Sequence, residues 1–142
     1  MATKRGGPEL FRLVRFWSRR WAAEVAGRTD ERVHVQHVQV VEAVSLTGDT
    51  AGIAHQLGVD RSVASRMITE AVAAGYAVRE ASPVDARRVT VRLTDAGMEL
   101  LDASHRWQQE RFDSLVAHWE PGDRKRFADY LRRLAAEVVD ER

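Results

Sequence analysis

Arginines and short hydroxyls are the side chains best placed here to do chemistry. Arg61 and Arg66 stand with Ser62, Ser65 and Thr69, and further along Arg87 and Arg88 follow Asp85. Guanidinium forks and hydroxyls form hydrogen bonds to phosphate oxygens and to base edges, so these two groups point toward a nucleic acid. Charge is distributed to match. Between Arg61 and Arg92 six basic residues meet three acidic ones, and from Thr94 onward eight basic meet eleven acidic, although the 142-residue chain has a net charge of only +1. Attraction for phosphate is therefore concentrated in the middle of the chain. A solvated charged surface has the same composition, and charge alone leaves both readings open.

Catalysis has no such foothold. The sequence contains no Gly-x-Ser-x-Gly, no phosphate-cradling glycine loop, no His-Glu-x-x-His and no cofactor fingerprint, so neither an enzyme nor a bound cofactor is expected. Without cysteine there is no disulfide framework, thiolate metal site or thiol switch. His34 and His37, three residues apart, can place two imidazoles on one helical face, which keeps a metal-responsive regulator open as an alternative. Carboxylate ligands would have to come from elsewhere in the fold, and no metal site is assigned.

The elements that position the arginines follow from caps and periodicity. Asp49 or Thr50 can cap a short helix whose Ile53, Ala54 and Leu57 point inward, and Gly58 stands where a left-handed residue ends it. Asp60 can cap a second helix, which completes a helix-turn-helix. At about 100° per residue, Val63, Ala64, Met67, Ile68, Ala71 and Val72 occupy one half of that helix. Ser62, Ser65, Arg66, Thr69 and Glu70 occupy the other, a face that fits a major groove and that also suits an ordinary surface helix. After Gly75 the period changes from 3.6 to 2 over Tyr76 to Glu80 and again over Val89 to Leu93, with Pro83 and Asp85 favouring a turn between. A hairpin in that position is a wing. Its arginines can enter a minor groove, with Asp85 expected to orient Arg87 through a charge-assisted hydrogen bond.

Helices flank this module. Leu10, Leu13, Val14, Trp17, Trp21 and Val25 keep three- and four-residue steps and predict one amphipathic helix over residues 8–28. Val33 to Leu46, with Val38, Val41 and Val44, predicts a helix ending near Thr47 and Gly48. Thr94 opens another, marked by Met98, Leu101, His105, Phe112, Leu115 and Trp119. Its drifting stripe predicts a bend, and Pro121-Gly122-Asp123 a break. A last helix carries Phe127, Tyr130, Leu131, Leu134 and Val138. The terminal stripes need a partner. The expected fold is mainly α with a small β-hairpin wing, in a single domain over 1–142. Arg12, Arg15, Arg19 and Arg20 interrupt any signal-peptide core and no stretch approaches a membrane span, so a cytoplasmic protein without membrane contact is expected.

The ordered series Gly75, Asp85-Ala86-Arg87, Leu93-Thr94 and Gly97 behind a helix-turn-helix resembles the MarR family of transcription regulators, and the resemblance covers nearly the whole chain. It implies a winged helix-turn-helix lobe over 33–93 and dimerisation helices over 8–28 and 95–139 that interlock two chains into a triangular homodimer. Two recognition helices about one DNA turn apart would meet a pseudo-palindromic operator on double-stranded DNA, with the wings in the flanking minor grooves. Carried over by position, Arg61, Ser62, Ser65 and Arg66 belong to the recognition helix, and Asp85 and Arg87 to the wing. The residues themselves add Thr69 on the recognition face, Arg88 at the wing tip and Thr50 as a phosphate contact. Repression is the commoner habit of the family, as is release by a small aromatic or anionic effector. Arg15, Trp17, Arg19, Trp21 and His37 are candidates for lining its cleft, unless the tryptophans are dimer core and the arginines are solvated. A helical protein-interaction module without DNA binding is the competing class. It predicts no affinity for DNA, whereas a wing predicts affinity that falls steeply with salt.

Overall fold

The computed structural model describes residues 6–29 and 32–139, and the chain divides after His105 into a larger and a smaller unit. Among the described residues seven helices and one hairpin follow in the order α1 (Gly7–Trp17), α2 (Arg20–Thr29), α3 (Val35–Leu46), α4 (Thr50–Leu57), α5 (Arg61–Ala73), β1 (Ala77–Ala81), β2 (Val89–Leu93), α6 (Asp95–Leu115) and α7 (Pro121–Val139). This is the mainly α architecture with a two-stranded wing that the sequence predicts.

The core of the larger unit is built around α3. Its His37, Val38, Val40, Val41, Ala43 and Val44 are buried on several sides, because α2, α4, α5 and β2 all pack against it. Val38, Val40 and Val41 are wholly inaccessible, and each such valine stabilises the fold by about 1.5 to 3 kcal/mol relative to an exposed one. From α2 come Ala22, Val25 and Ala26, from α4 Ile53 and Ala54, and from α5 Ala64, Ile68 and Ala71.

The hairpin pairs Ala77 with Leu93 through to Ala81 with Val89. Its first strand starts one residue later than the period predicts, because Tyr76 closes α5 instead. The Tyr76 N–H donates to the Ala71 carbonyl (2.9 Å), the Gly75 N–H donates to Val72 (3.0 Å), and Gly75 takes the left-handed backbone this helix end requires. At the far side Gly48 lies against the wing, its carbonyl accepting the Val91 N–H at 2.7 Å. Thr94 caps α6 by accepting the Gly97 N–H (3.1 Å) and donates its hydroxyl to the Gly75 carbonyl (2.5 Å), which ties the end of α5 to the start of α6.

Two expectations about helices are corrected. The helix expected over 8–28 is two helices, interrupted at Ser18 and Arg19, where the Ser18 hydroxyl donates back to the Arg15 carbonyl and competes with the helical ladder. The helix that opens at Thr94 ends at Leu115, before Pro121 is reached; Val116 and Trp119 then turn the chain with N–H groups donated to Phe112 and Val116. Within the larger unit the buried line of α6 runs through Gly97, Leu100, Leu101 and Ser104, while Met98 and His105 are exposed. In the smaller unit Trp119 stacks on Phe127 with ring centres 5.1 Å apart, and Phe112 lies 5.9 Å from the same ring. Helix α7 has no buried residue.

Candidate nucleic-acid interface

The Asp60 side chain starts the second helix of the helix-turn-helix by accepting the Val63 N–H at 2.9 Å and the Ser62 hydroxyl at 2.7 Å. Those two bonds, the first most of all, hold its carboxyl below the usual range. At the start of the preceding helix Asp49 accepts the Gly52 N–H (3.0 Å), and at its end Gly58 adopts φ of 68°, so Gly58 and Asp60 close the tight turn between the two helices. The recognition face follows. Arg61, Ser62, Arg66 and Thr69 are exposed and Ser65 is half-buried, whereas Ala64, Ile68 and Ala71 are buried on the opposite side. The Thr69 hydroxyl donates to the Ser65 carbonyl (2.9 Å), so Ser62 and Thr69 both present acceptor lone pairs outward. Thr50 sits half-buried at the first position of α4.

The wing is stiffened from within. The Ser82 N–H donates to the Arg88 carbonyl at 2.8 Å, and the Ser82 hydroxyl oxygen accepts the N–H groups of Val84 and Asp85. Asp85 accepts the main-chain N–H of Arg87 at 3.0 Å, while its own carbonyl accepts the Arg88 N–H at 3.0 Å. The hydrogen bond expected between Asp85 and the Arg87 guanidinium therefore goes to the Arg87 backbone. Both guanidinium groups are left at the exposed tip, and among the described residues neither has a carboxylate within ion-pair distance. Across the strands Arg92 and Glu80 form an ion pair at 2.6 Å.

One contact that the sequence does not announce joins the hairpin and α5. The Arg79 guanidinium on β1 donates to the Ser65 carbonyl on α5 at 3.0 Å, fourteen residues away. Nothing in local pattern could have revealed it, since an exposed arginine on a strand has the same signature with or without such a partner.

The five candidate effector residues are not brought together. Trp21 lines a cavity of about 470 Å³ between α2, α3, α4 and α5, but Arg15, Trp17, Arg19 and His37 do not. Arg15 and Arg19 are exposed, and Trp17 is half-buried with its ring edge-on to Phe16. His37 is buried, its Nδ1 accepting the His34 N–H at 3.3 Å and its ring 5.2 Å from Tyr76. Burial pushes its pKa down, helped by His34 and opposed by Glu70. The rings of His34 and His37 lie 5.2 Å apart, and among the described residues no group of three histidine or carboxylate side chains could hold a metal ion. Glu42, absent from the sequence-derived candidates, lines the same cavity as Trp21 and accepts the hydroxyl of the fully buried Ser104 at 2.6 Å, with His105 Nε2 3.0 Å from its other oxygen.

Comparison with known proteins agrees at the level of the fold. No family model and no curated protein matches the sequence. Among solved structures, the chain is similar to the PcaV transcriptional regulator from Streptomyces coelicolor in complex with its natural ligand, at 20% identity and a TM-score of 0.60, covering 95% of this chain and 97% of that one. It is similar to the apo form of wild-type MarR from E. coli, at 19% identity and a TM-score of 0.69, with 93% and 98% covered. A MarR transcriptional regulator from Methanosarcina mazei Go1 gives a TM-score of 0.72 at 14% identity, with 94% and 96% covered. The chain has the MarR winged-helix fold.

Proposed function

We propose that this chain is a sequence-specific DNA-binding transcription regulator that acts as a homodimer. The carrying observation is the joint presentation of two arginine-bearing elements on one frame. Helix α5 is capped at Asp60 and exposes Arg61 and Arg66. The wing, stiffened by Ser82 and Asp85, exposes Arg87 and Arg88. Recognition helix in the major groove and wing in the minor groove is the division of labour these side chains favour, with Ser62, Ser65 and Thr69 at base edges, Thr50 on phosphate and Asp85 setting the wing backbone. Fold likeness to MarR and PcaV supports the same reading.

Dimerisation through the terminal helices is supported by exposed apolar side chains on both. Leu10, Phe11, Leu13, Val14 and Phe16 on α1 are exposed, as are Tyr130, Leu131, Leu134 and Val138 on α7. A homodimer presents two recognition helices and so favours a pseudo-palindromic operator, at which occupancy represses. Release by a small molecule is supported by the cavity behind α5. Among the described residues no helix is long and apolar enough to cross a membrane.

A mobility-shift titration against the DNA upstream of the chain's own coding sequence tests the proposal. Binding at least about a thousandfold tighter than to random DNA at about 0.15 M salt is expected, falling steeply as salt rises. Equal affinity for both fragments would sink it in favour of a protein-interaction module.

A further inference from the structure

We propose that the apolar tip of the wing, Val84 above all, reads the minor groove by exclusion, accepting A·T pairs and rejecting the guanine 2-amino group. The inference rests on the regulator reading above and names what the wing would recognise. Val84 is 95% exposed, whereas no other large apolar side chain among the described residues exceeds 65%. It lies outside every helix and strand, so no amphipathic stripe accounts for its exposure. Pro83 and Ala86 beside it are exposed too, and the six residues from Pro83 to Arg88 carry three apolar side chains, two arginines and Asp85.

This tip is held in shape. The Ser82 hydroxyl oxygen accepts the N–H groups of Val84 at 3.3 Å and Asp85 at 3.4 Å, and an Asp85 carboxylate oxygen accepts the Arg87 N–H at 3.0 Å. Branching at Cβ leaves Val84 few rotamers, so an ordered apolar side chain is presented at little entropic cost. The minor groove then decides what it can meet. There A·T and T·A show only acceptors, and G·C adds the guanine 2-amino donor. Valine methyl groups offer that donor no acceptor, and the Ser82 oxygen is engaged by the tip's own backbone. An amino group packed against Val84 would lose its water without gaining a partner. An A·T pair has no such group, and the narrow groove of A·T tracts draws in Arg87 and Arg88. The arginines supply attraction, and Val84 supplies the choice.

Base analogues that alter only the minor groove test it. Diaminopurine paired with thymine adds the 2-amino group to an A·T pair, and inosine paired with cytosine removes it from G·C. Both keep the major-groove donors and acceptors that α5 would read. Diaminopurine is scanned through both flanks of the operator fragment in a mobility shift with the full chain. At one base pair in each flank it should weaken wild-type binding about tenfold, and inosine·cytosine there should bind like A·T. Val84→Ala should reduce that penalty to less than about threefold, with circular dichroism unchanged. Val84→Ser, whose hydroxyl can accept the amino hydrogen, should abolish it. Arg87→Ala should weaken binding to every flank yet keep the penalty. A penalty that is absent, that survives both Val84 variants, or that Arg87→Ala alone removes overturns the proposal, while preference for the operator over random DNA leaves the regulator reading standing. Equal affinity for operator and random DNA removes both.

Discussion

The lobe from α3 to β2 and the two terminal helices α1 and α7 satisfy their side chains in opposite ways. In the lobe every element finds its partners inside one chain. Asp49 and Asp60 take up helix N–H groups, Tyr76 and Gly75 close α5, and Ile53, Ile68 and Val41 are wholly inaccessible. Helices α1 and α7 have no buried residue at all, although both repeat leucine and aromatic side chains at helical spacing. Amphipathic periodicity is thus the same signal in both regions, yet it reports an internal core in one and an unmet surface in the other. The difference teaches that the lobe is self-sufficient, whereas α1 and α7 leave apolar side chains exposed.

The comparison breaks most easily in the lobe. Ile68→Ala removes a fully buried side chain from the inner face of α5 and should lower the unfolding free energy by about 2 to 5 kcal/mol in a denaturant titration. A loss within experimental error would mean that the lobe does not depend on its own core. Leu13→Asp combined with Leu134→Asp should leave far-ultraviolet circular dichroism intact while sedimentation equilibrium falls from twice 16.0 kDa to 16.0 kDa. A mass unchanged by these charges would refute the contrast directly.

Smaller effects sharpen the division within the lobe. Arg66→Ala should cost about 1 to 3 kcal/mol of discrimination between operator and single-base variants, measured by competition binding. Arg87→Ala should weaken all sequences nearly alike and reduce the slope of log K against log salt by about 1. Interchanged outcomes would move base reading from α5 to the wing.

The smallest effect concerns His37. Burial lowers its pKa in the fold, so the unfolded chain takes up the proton at a higher pH, near ~6.5. The stabilisation from keeping it neutral is complete above that value and is lost as pH falls through it toward the folded value. His37→Gln should flatten the pH dependence of thermal stability in that window, and an unaltered slope would assign it to another group.

Residues that act on their nearest neighbours were legible in the sequence. Asp49, Gly58, Asp60 and Gly75 mark helix ends by their own backbone preferences, and the change of period at the wing needs only adjacent positions. The interruption at Ser18 was not legible, since Trp17, Trp21 and Val25 keep a four-residue step straight across it and periodicity cannot see a turn of helical dihedral angles. The buried line of α6 is legible only in part, at Leu101, because Gly97 and Ser104 share that line and hydropathy gives them no weight. Arg79 and Glu42 were invisible for a third reason. Their partners lie fourteen and sixty-two residues away, and only the fold brings them within reach.

The close seating of α6 against the end of α5 also bears on how the protein tolerates change. A Cβ on Gly97 would overlap the Tyr76 carbonyl oxygen, which already accepts the Thr94 N–H, and backbone cannot step aside as a flexible side chain can. Gly27 in α2 has open space where its Cβ would stand, and alanine there raises helix propensity by roughly 0.5 to 1 kcal/mol. A saturation library selected for folded protein should therefore return glycine alone at one position and enrich alanine at the other. In an engineered scaffold, position 27 is a free gain and position 97 a fixed point around which everything else is varied.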